Sequence, residues 1–357
     1  MENTFRAGHP SMSMESCERW GRLPNGGWAH KVTLVNGDGC RVTVTDYGAT
    51  VTSMMAPDRD GVIGEVILGF NELDSYLRSS AYFGCTVGRY ANRIREGRFT
   101  LDGVEHNVTR NHGRHHLHGG LRGFDKALWS VEEADESSVA LSYRSVDGEE
   151  GYPGQLNATV CFSLTDRDEL EISYKATTDR PTVVNLTNHT YFNLAGVGDA
   201  LGHVLELNAD SYTPADEDLL PSGEVAQVKG TPLDFLEPKK VGRDIGSNHP
   251  QMLLAGGYDH NYVLRGSGLR RAATLSDPVT GRAMEVRTTQ PGLQLYTGNF
   301  LDGDERGRLG EPILKHSGLC LETQHYPDSP NHPSFPSTVL RPGETYNHRT
   351  VLRFTVM

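Results

Sequence analysis

The sequence predicts an all-β protein that folds as a sandwich or a barrel. Short runs rich in Val, Ile, Thr and aromatic residues follow one another along most of the 357-residue chain, and turn-forming segments separate them. The 40 Gly and 18 Pro can supply the many turns that such a fold requires. No internal repeat, low-complexity block or clear linker interrupts the pattern, so we expect one large domain rather than two.

The strand-like runs recur at the short intervals typical of all-β folds. In chain order they cover residues 30–36, 40–56, 64–70, 138–145, 156–164, 170–178, 182–194, 204–213, 261–266, 272–277, 283–289, 293–300, 318–324 and 338–356. Helical patterns are scarce, and residues 71–80 and 166–170 form at most single short helices. The first 19 residues are polar and predict a flexible N-terminal extension, which leaves 20–357 as the domain.

The composition restricts the partners and the compartment. The formal net charge is −12 and the isoelectric point is about 5.7, so the surface repels nucleic acid and anionic membranes. The five cysteines form no CxxC pair, which disfavours a disulfide framework and a structural zinc site. No segment suits a signal peptide or a membrane span. We therefore expect a soluble cytoplasmic protein with no nucleic-acid or membrane partner.

Residues 182–194, TVVNLTNHTYFNL, have the composition of a strand with an unusual second face. Alternation would place one set on the first face: Val184, Leu186, Asn188, Thr190, Phe192 and Leu194. The opposite face would carry Asn185, Thr187, His189, Tyr191 and Asn193. A polar face usually faces only solvent, and a single histidine is more often structural than catalytic. The joint composition of this face nevertheless favours a binding surface.

Other runs carry polar residues of the same kinds. Glu322 alternates with leucines in GLCLETQ, where a carboxylate either faces water or is held by partners. Further candidates lie in GRYANRIREG, GRHHLHGG, GGYDHNYVL and PGLQLYTGNF, and they are Asn92, Arg93, His116, His118, Asp259 and Gln294. His116 and His118 could ligate a metal ion together, but the spacing fixes no third ligand. We therefore expect no metal site.

These residue types suit a neutral polyhydroxyl ligand such as a sugar. A Glu can take a proton from one hydroxyl while a His delivers a proton elsewhere. Their reference pKa values, roughly 4.3 and 6.5, predict a carboxylate base and a partly protonated imidazole near neutral pH. The sequence has no GxSxG, no P-loop and no dinucleotide fingerprint, which leaves acyl and nucleotide chemistry without support.

Six motifs, in order along the chain, resemble those of the aldose 1-epimerases, also called galactose mutarotases. They are VGRYANRI, LHGG with GFDKALW, TNHTYFNL, GYDHNYVL, QPGLQLYTGNF and LETQHYPDSPNHPSFPS. The resemblance runs from about Trp20 to the C-terminus. It implies a large, mostly antiparallel β-sandwich of the galactose mutarotase-like supersandwich type, with a sugar site in an open cleft. It also implies interconversion of the α and β anomers of free hexoses such as galactose and glucose.

The resemblance further implies roles for single residues. Glu322 would be the general base that removes the proton of the anomeric hydroxyl, and His189 the general acid that protonates the ring oxygen. The sugar would open to the aldehyde, rotate about C1–C2 and close again with the roles reversed. The residues that match binders of sugar hydroxyls are Asn92, Arg93, His118, Asp259 and Gln294. This chemistry moves only protons and needs no metal or organic cofactor.

Three alternatives remain open at this point. A glycoside hydrolase would use Asp259 and Glu322 as its carboxylate pair, at one of two fixed separations. A non-catalytic sugar-binding protein would need neither a base nor an acid. A hexose-6-phosphate 1-epimerase would need a phosphate pocket, for which only Arg93 lies in a matching motif. The sequence specifies neither the preferred sugar nor whether the protein is a monomer or a homodimer.

Overall fold

The computed structural model describes residues 17–357, in which β-strands form most of the regular structure. The first strands are β1 (Cys17–Arg22), β2 (Trp28–Val35), β3 (Arg41–Thr45), β4 (Thr50–Pro57) and β5 (Ile63–Glu65). They pair in chain order as one antiparallel sheet. Residues 17–19 of the predicted N-terminal extension belong to β1, whereas residues 1–16 lie outside the described residues.

The remaining strands range from two residues to the eleven of β30. In chain order they are β6 (Thr86–Val87), β7 (Arg93–Ile94), β8 (Arg98–Leu101), β9 (Val104–Asn107), β10 (His116–Leu117), β11 (Ser130–Ala134), β12 (Ser138–Ser145), β13 (Leu156–Leu164), β14 (Glu169–Thr178), β15 (Thr182–Val183), β16 (Thr187–Asn188), β17 (Tyr191–Phe192), β18 (Val204–Leu207), β19 (Ser211–Thr213), β20 (Ala226–Gln227), β21 (Lys239–Lys240), β22 (Asp259–Val263), β23 (Arg270–Ser276), β24 (Arg282–Thr288), β25 (Gly292–Tyr296), β26 (Asp302–Arg306), β27 (Pro312–Leu314), β28 (Leu319–Gln324), β29 (Val339–Leu340) and β30 (Tyr346–Val356).

Helical structure is sparse in the described part of the chain. It consists of α1 (Leu73–Arg78), α2 (Pro250–Ala255) and 3₁₀ turns at Arg95–Gly97, Phe124–Lys126, Glu149–Gly151, Val241–Arg243 and Ser329–Asn331. No helix among residues 17–357 is long and apolar enough to cross a membrane.

Two large antiparallel sheets form the body of the fold. The larger sheet has nine strands in the order β11-β12-β13-β14-β30-β24-β23-β18-β21. The second has six strands in the order β17-β28-β25-β22-β19-β20. The pairings in both are antiparallel, and the longest strands pair without a register slip, as β13 does with β14. The structure thus confirms the prediction of an all-β, mostly antiparallel fold.

One apolar core joins the sheets. Val42 of β3, Val160 of β13 and Leu293 of β25 belong to the same cluster of buried side chains. Residues of β13 alternate between buried and more exposed positions, as expected for a strand with one face on a core. Every residue of β25 and β28 is buried instead. The second face of the six-stranded sheet is therefore also covered, and its polar side chains do not simply face solvent.

The prediction of one continuous strand over residues 182–194 was wrong. It divides into β15, β16 and β17, each two residues long. Part of its polar face ties neighbouring segments together: the amide of Asn185 donates to the carbonyls of Ala91 and His325, and the hydroxyl of Thr187 donates to the carbonyl of Thr323. These side chains satisfy buried backbone groups and do not line a cleft.

Two helix predictions also need correction. Residues 166–170 form a turn that leads into β14 rather than a short helix. Helix α2 was not predicted, although it has recognisable end signals. The ring of His249 accepts the N–H of Gln251, Pro250 takes the first helical position, and Gly256 ends the helix in the left-handed conformation.

Candidate active site

A cleft of about 260 Å³ lies against the face of the six-stranded sheet that carries Glu322. Four adjacent strands contribute to its wall: Tyr191 from β17, Glu322 from β28, Tyr296 from β25 and Asp259 from β22. Short strands and connecting segments supply Ser80, Ala81, Tyr82, Asn92, Arg93, His112, Leu117, His118, His189, Phe300 and Leu301. The structure thus brings the predicted site residues into one cleft, except Gln294 and the candidate His116, which do not line it.

Glu322 and His189 meet at the floor of the cleft. Strand β28 carries Glu322, and β17 pairs with β28 through Tyr191 and Cys320. This pairing places His189, just before β17, with its Nε2 atom 3.8 Å from Oε1 of Glu322. The two residues are only 4% and 2% exposed. A carboxyl and an imidazole therefore share a nearly dry space, where electrostatic interactions are strong.

Burial shifts the pKa values of this pair in opposite directions. It raises the pKa of Glu322 well above its ordinary value, and the nearby Asp259 charge adds to the rise while Arg93 opposes it. Burial lowers the pKa of His189 to about 4. Both shifts favour uncharged forms. The directions of the two shifts favour a protonated carboxyl and a neutral imidazole, in contrast to the partly protonated imidazole expected from reference values.

His118 is held by a reciprocal clamp with Asn92. The backbone N–H of His118 donates to the carbonyl of Asn92 at 3.0 Å, and the backbone N–H of Asn92 donates to Nδ1 of His118 at 3.1 Å. Both residues adopt the left-handed conformation, with φ of 49° and 64°. Such strain in non-glycine residues is typical of functional sites.

The first glycine of LHGG allows the reciprocal hydrogen bonds between His118 and Asn92 to form. Gly119 has a φ of 88°, and a Cβ atom there would lie 1.7 Å from the carbonyl oxygen of Gly88. Only glycine permits so close an approach of the two backbones. The motifs VGRYANRI and LHGG are therefore adjacent in space, which is what brings Asn92 and His118 together.

His118, His189 and Glu322 have the composition of a metal site, and their ligand atoms lie within 4.8 Å of one another. A backbone N–H can only donate, so Nδ1 of His118 is an acceptor and the neutral ring carries its proton on Nε2. A metal ion at Nε2 would have to displace that proton. The hydrogen bond at Nδ1 thus makes Nε2–H of His118 a hydrogen-bond donor toward the cleft rather than a metal ligand.

His116 is not part of this group. Its ring is buried, with Nδ1 2.6 Å from the carbonyl oxygen of Thr109 and Nε2 2.6 Å from the hydroxyl of Tyr152. The two contacts use both ring nitrogens. His116 is therefore a structural histidine, and the possible joint ligation with His118 has no geometric basis.

Asp259 is held from two sides. The amide of Gln294 donates to one carboxylate oxygen at 2.6 Å, and Nη1 of Arg93 lies 3.9 Å from the other. The strand register explains this, because Gln294 of β25 lies between Asn261 of β22 and Glu322 of β28. Gln294 thus orients Asp259 from behind the cleft. Asp259 and Arg93 present an acceptor and donors to a ligand.

Aromatic side chains form much of the remaining wall. Tyr82 packs on His118 with ring centroids 4.6 Å apart, and Tyr191 and Tyr296 lie near His189. Strand alternation places Tyr191 with His189 and Tyr296 with Gln294, so a periodicity signal existed for these two. Tyr82 and His112 lie in irregular segments, and no sequence pattern identified them.

The chain is a β-sandwich whose cleft holds a buried carboxyl and imidazole, the pair of groups that general acid–base enzymes use. The family model of aldose 1-epimerase matches residues 30–353, and the chain belongs to the aldose 1-epimerase family. It is 46% identical over 340 residues to galactose mutarotase from Rattus norvegicus, with 94% of this chain and 97% of that protein covered.

Solved structures agree with this family assignment. A GalM/aldose epimerase homologue from C. elegans superposes with a TM-score of 0.87 at 31% identity, covering 92% of this chain and 99% of that one. Galactose 1-epimerase from Lactobacillus acidophilus gives 0.85 at 31% identity, covering 95% and 98%. The chain therefore shares the galactose mutarotase-like sandwich over nearly its whole length.

Proposed function

We propose that this chain is an aldose 1-epimerase that interconverts the α and β anomers of free hexoses such as galactose and glucose. The observation that carries the proposal is the separation of 3.8 Å between Nε2 of His189 and Oε1 of Glu322 at the floor of the cleft. Such a pair can exchange protons with two oxygens of one sugar ring. The cleft is smaller than the roughly 300–1,000 Å³ of most ligand pockets, which suits a single sugar.

The two residues act in opposite senses on the bound sugar. Glu322 takes the proton of the anomeric hydroxyl, and His189 gives its Nε2 proton to the ring oxygen as the C1–O5 bond breaks. The open aldehyde rotates about C1–C2. The C5 hydroxyl then attacks the other carbonyl face, returning its proton to His189, while Glu322 protonates the new anomeric oxygen. The site is regenerated without any net change.

Sugar binding shifts the proton from Glu322 to His189, the residue that must protonate the ring oxygen. The anomeric hydroxyl donates a hydrogen bond to Glu322, which stabilises the carboxylate form. Arg93 acts on Glu322 in the same direction. The displaced proton has only 3.8 Å to travel to Nε2 of His189. The pair therefore reaches its reactive form by an internal transfer, without exchange with solvent.

The bonding around the two histidines supports His189 as the acid. A neutral His118 that gave up its Nε2 proton would become an anion, because its Nδ1 already accepts the N–H of Asn92. A protonated His118 would direct a second N–H at that amide. His118 is therefore a fixed donor to a sugar oxygen, whereas no backbone amide constrains His189 in this way.

Polarimetry tests the proposed function directly. We expect the protein to accelerate the change in optical rotation of freshly dissolved α-D-galactose and α-D-glucose. Glucose 6-phosphate should be accelerated at least about tenfold less, because Arg93 is the single Lys or Arg among the lining residues described and Asp259 lies 3.9 Å from it. Equal acceleration of the phosphorylated sugar would favour a hexose-6-phosphate epimerase, and binding without acceleration would favour a sugar-binding protein.

An aryl galactoside separates the epimerase from a glycoside hydrolase. Gln294 and Arg93 already engage the carboxylate of Asp259, which suits an acceptor for sugar hydroxyls rather than half of a hydrolytic pair. Nucleophilic attack or acid catalysis by Asp259 would first require breaking these contacts. We therefore expect no release of the aryl alcohol under conditions in which galactose mutarotation is fast.

Substitution of Asp259 by Asn should affect both binding and the pH profile. Loss of a charged acceptor should raise KM about ten- to a hundredfold. Because the Asp259 charge raises the pKa of Glu322, its removal lowers that pKa and moves the basic limb of the kcat/KM profile to lower pH. Asp218→Asn, at the exposed pair with Arg114, is the control and should leave the profile unchanged. An unmoved basic limb in Asp259→Asn would exclude this coupling.

The thiols support cytoplasmic action. All five cysteines, which lie within the described residues, are free. Unpaired thiols are stable in a reducing compartment such as the cytoplasm. We therefore place the proposed activity in the cytoplasm.

A further inference from the structure

Strand β28 supplies a group at each nitrogen of the His189 ring. Glu322 faces Nε2 at 3.8 Å, and Sγ of Cys320 lies 3.5 Å from Nδ1. Cys320 and Glu322 are two positions apart, so they project from the same face of the strand. Cys320 is fully buried between its cross-strand partners Tyr191 and Tyr296 and is not among the residues that line the cleft. It can therefore act on the sugar only through His189.

We infer that the Cys320 thiol is a positioning residue whose sulfur accepts the Nδ1–H of His189 and reserves Nε2 for the moving proton. The hydrogen bond at one imidazole nitrogen decides which nitrogen carries the proton. An imidazolium that gives away its Nε2 proton becomes the neutral ring protonated at Nδ1. Nδ1 therefore carries a proton both before and after the transfer, and an acceptor beside it stabilises both forms of the ring. The catalytic consequence rests on the proposed function, but the tautomer itself does not.

The two cleft histidines differ in this respect. At His118 a backbone N–H occupies the Nδ1 side and forces that atom to accept. At His189 the same side meets a side-chain sulfur, which can accept or donate. Burial, as the largest cause, keeps the pKa of Cys320 well above its ordinary value, so the sulfur is a neutral thiol. A neutral acceptor does not hold the proton on His189 permanently, as a thiolate would.

The tautomer can be measured without any turnover. Long-range ¹H–¹⁵N correlation spectra of the labelled full-length protein at neutral pH distinguish Nδ1–H from Nε2–H rings, and His189→Gln identifies the His189 signals. We expect Nδ1–H for His189 in the wild type and in Cys320→Ser, whose hydroxyl also accepts. We expect a mixture or the Nε2–H form in Cys320→Ala. An Nε2–H ring in the wild type would overturn the inference.

Kinetics then test the consequence for the reaction. Cys320→Ala should lower kcat about three- to tenfold, the effect of losing one modest hydrogen bond, with KM for galactose unchanged. Cys320→Ser should stay within about twofold of the wild type. Cys40→Ala, which removes another buried thiol far from the cleft, controls for general packing loss and should leave kcat unchanged.

The outcomes are distinguishable. A kcat in Cys320→Ala equal to that of the wild type, with an unchanged Nδ1–H signal, overturns the inference. An equal loss in Cys320→Ser and Cys320→Ala shows a packing role and overturns it as well. A wild type that does not accelerate mutarotation but shows the expected tautomers in all variants contradicts the proposed function and supports the positioning role of Cys320.

Discussion

Replacing Glu322 by Gln should slow catalysed mutarotation about 10²- to 10⁴-fold, the usual contribution of a general acid or base. The amide keeps the shape of the side chain but cannot take the proton of the anomeric hydroxyl. Galactose binding should persist, because the substitution leaves in place Arg93, His118 and Asp259, the proposed binders of the sugar hydroxyls. Polarimetry measures the rate, with the spontaneous reaction as its floor, and calorimetry measures binding.

The same substitution should make the protein more stable at neutral pH, by a few degrees in Tm. The pKa of Glu322 is raised in the folded state. The folded chain then binds more protons than the unfolded chain above the ordinary pKa, so stability falls as pH rises through that range. Gln removes this cost. The gain should therefore be clear at pH 7.5 and should shrink as the pH falls toward the ordinary pKa of a glutamate.

Glu285→Gln on β24, in the nine-stranded sheet, is the matched control and should change neither rate nor stability appreciably. An active Glu322→Gln would exclude Glu322 as the base. An inactive but destabilised variant would instead indicate that the carboxyl holds the fold together, and the assignment would then need the pH profile to support it. A rate loss combined with a stability gain is the combination that the buried, shifted carboxyl predicts.

Mild acid should unfold the protein through histidines that are buried or, for His348, half-buried. Burial lowers the pKa values of His116, His189 and His348 to about 4, and those of His260 and His325 to about 3. Below pH 6.5 the unfolded chain protonates these rings and the folded chain does not, so stability is lost as pH falls from about 6.5 toward 4. Each ring contributes about 1–2 kcal/mol to this loss at pH 5.

Together these losses are comparable to the whole stability of a typical domain, about 5–15 kcal/mol. Part is offset because burial raises the pKa of Asp125 to about 6, which works in the opposite direction. We expect cooperative unfolding between about pH 5 and 4, seen by circular dichroism. His325→Gln should move the midpoint to lower pH, whereas His106→Gln, on the β8–β9 hairpin, should not. Unfolding that begins only below pH 4, with no response to His325→Gln, would contradict this account.

Strand prediction succeeded where one face of a strand meets the core and the other is more exposed. The runs at 138–145 and 156–164 have the same bounds as β12 and β13, because their alternating burial follows the period of two. It failed at 182–194, where both faces are buried and the polar residues tie distant backbone segments together. In such a segment, polarity no longer indicates exposure.

Site residues on or beside strands were predicted from the sequence, and those in irregular segments were not. Motifs on or beside strands led to Glu322, His189 and Asp259, which the structure places around one cleft. Tyr82 and His112 were missed because irregular segments carry no periodicity. Gln294 was predicted to bind sugar hydroxyls, but it is not among the residues that line the cleft, and its amide donates to Asp259 instead.

The sequence by itself determined the class of fold, through its alternating runs and turns, and the chemical groups available, through its ordered motifs. Tertiary structure alone decided the protonation and the tautomer that those groups favour. Burial favours a protonated Glu322 and a neutral His189 because it penalises both charges of the pair, which no reference pKa expresses. The free nitrogen of each histidine depends on partners far away in the chain, Asn92 for His118 and Cys320 for His189, which folding alone brings within hydrogen-bond distance.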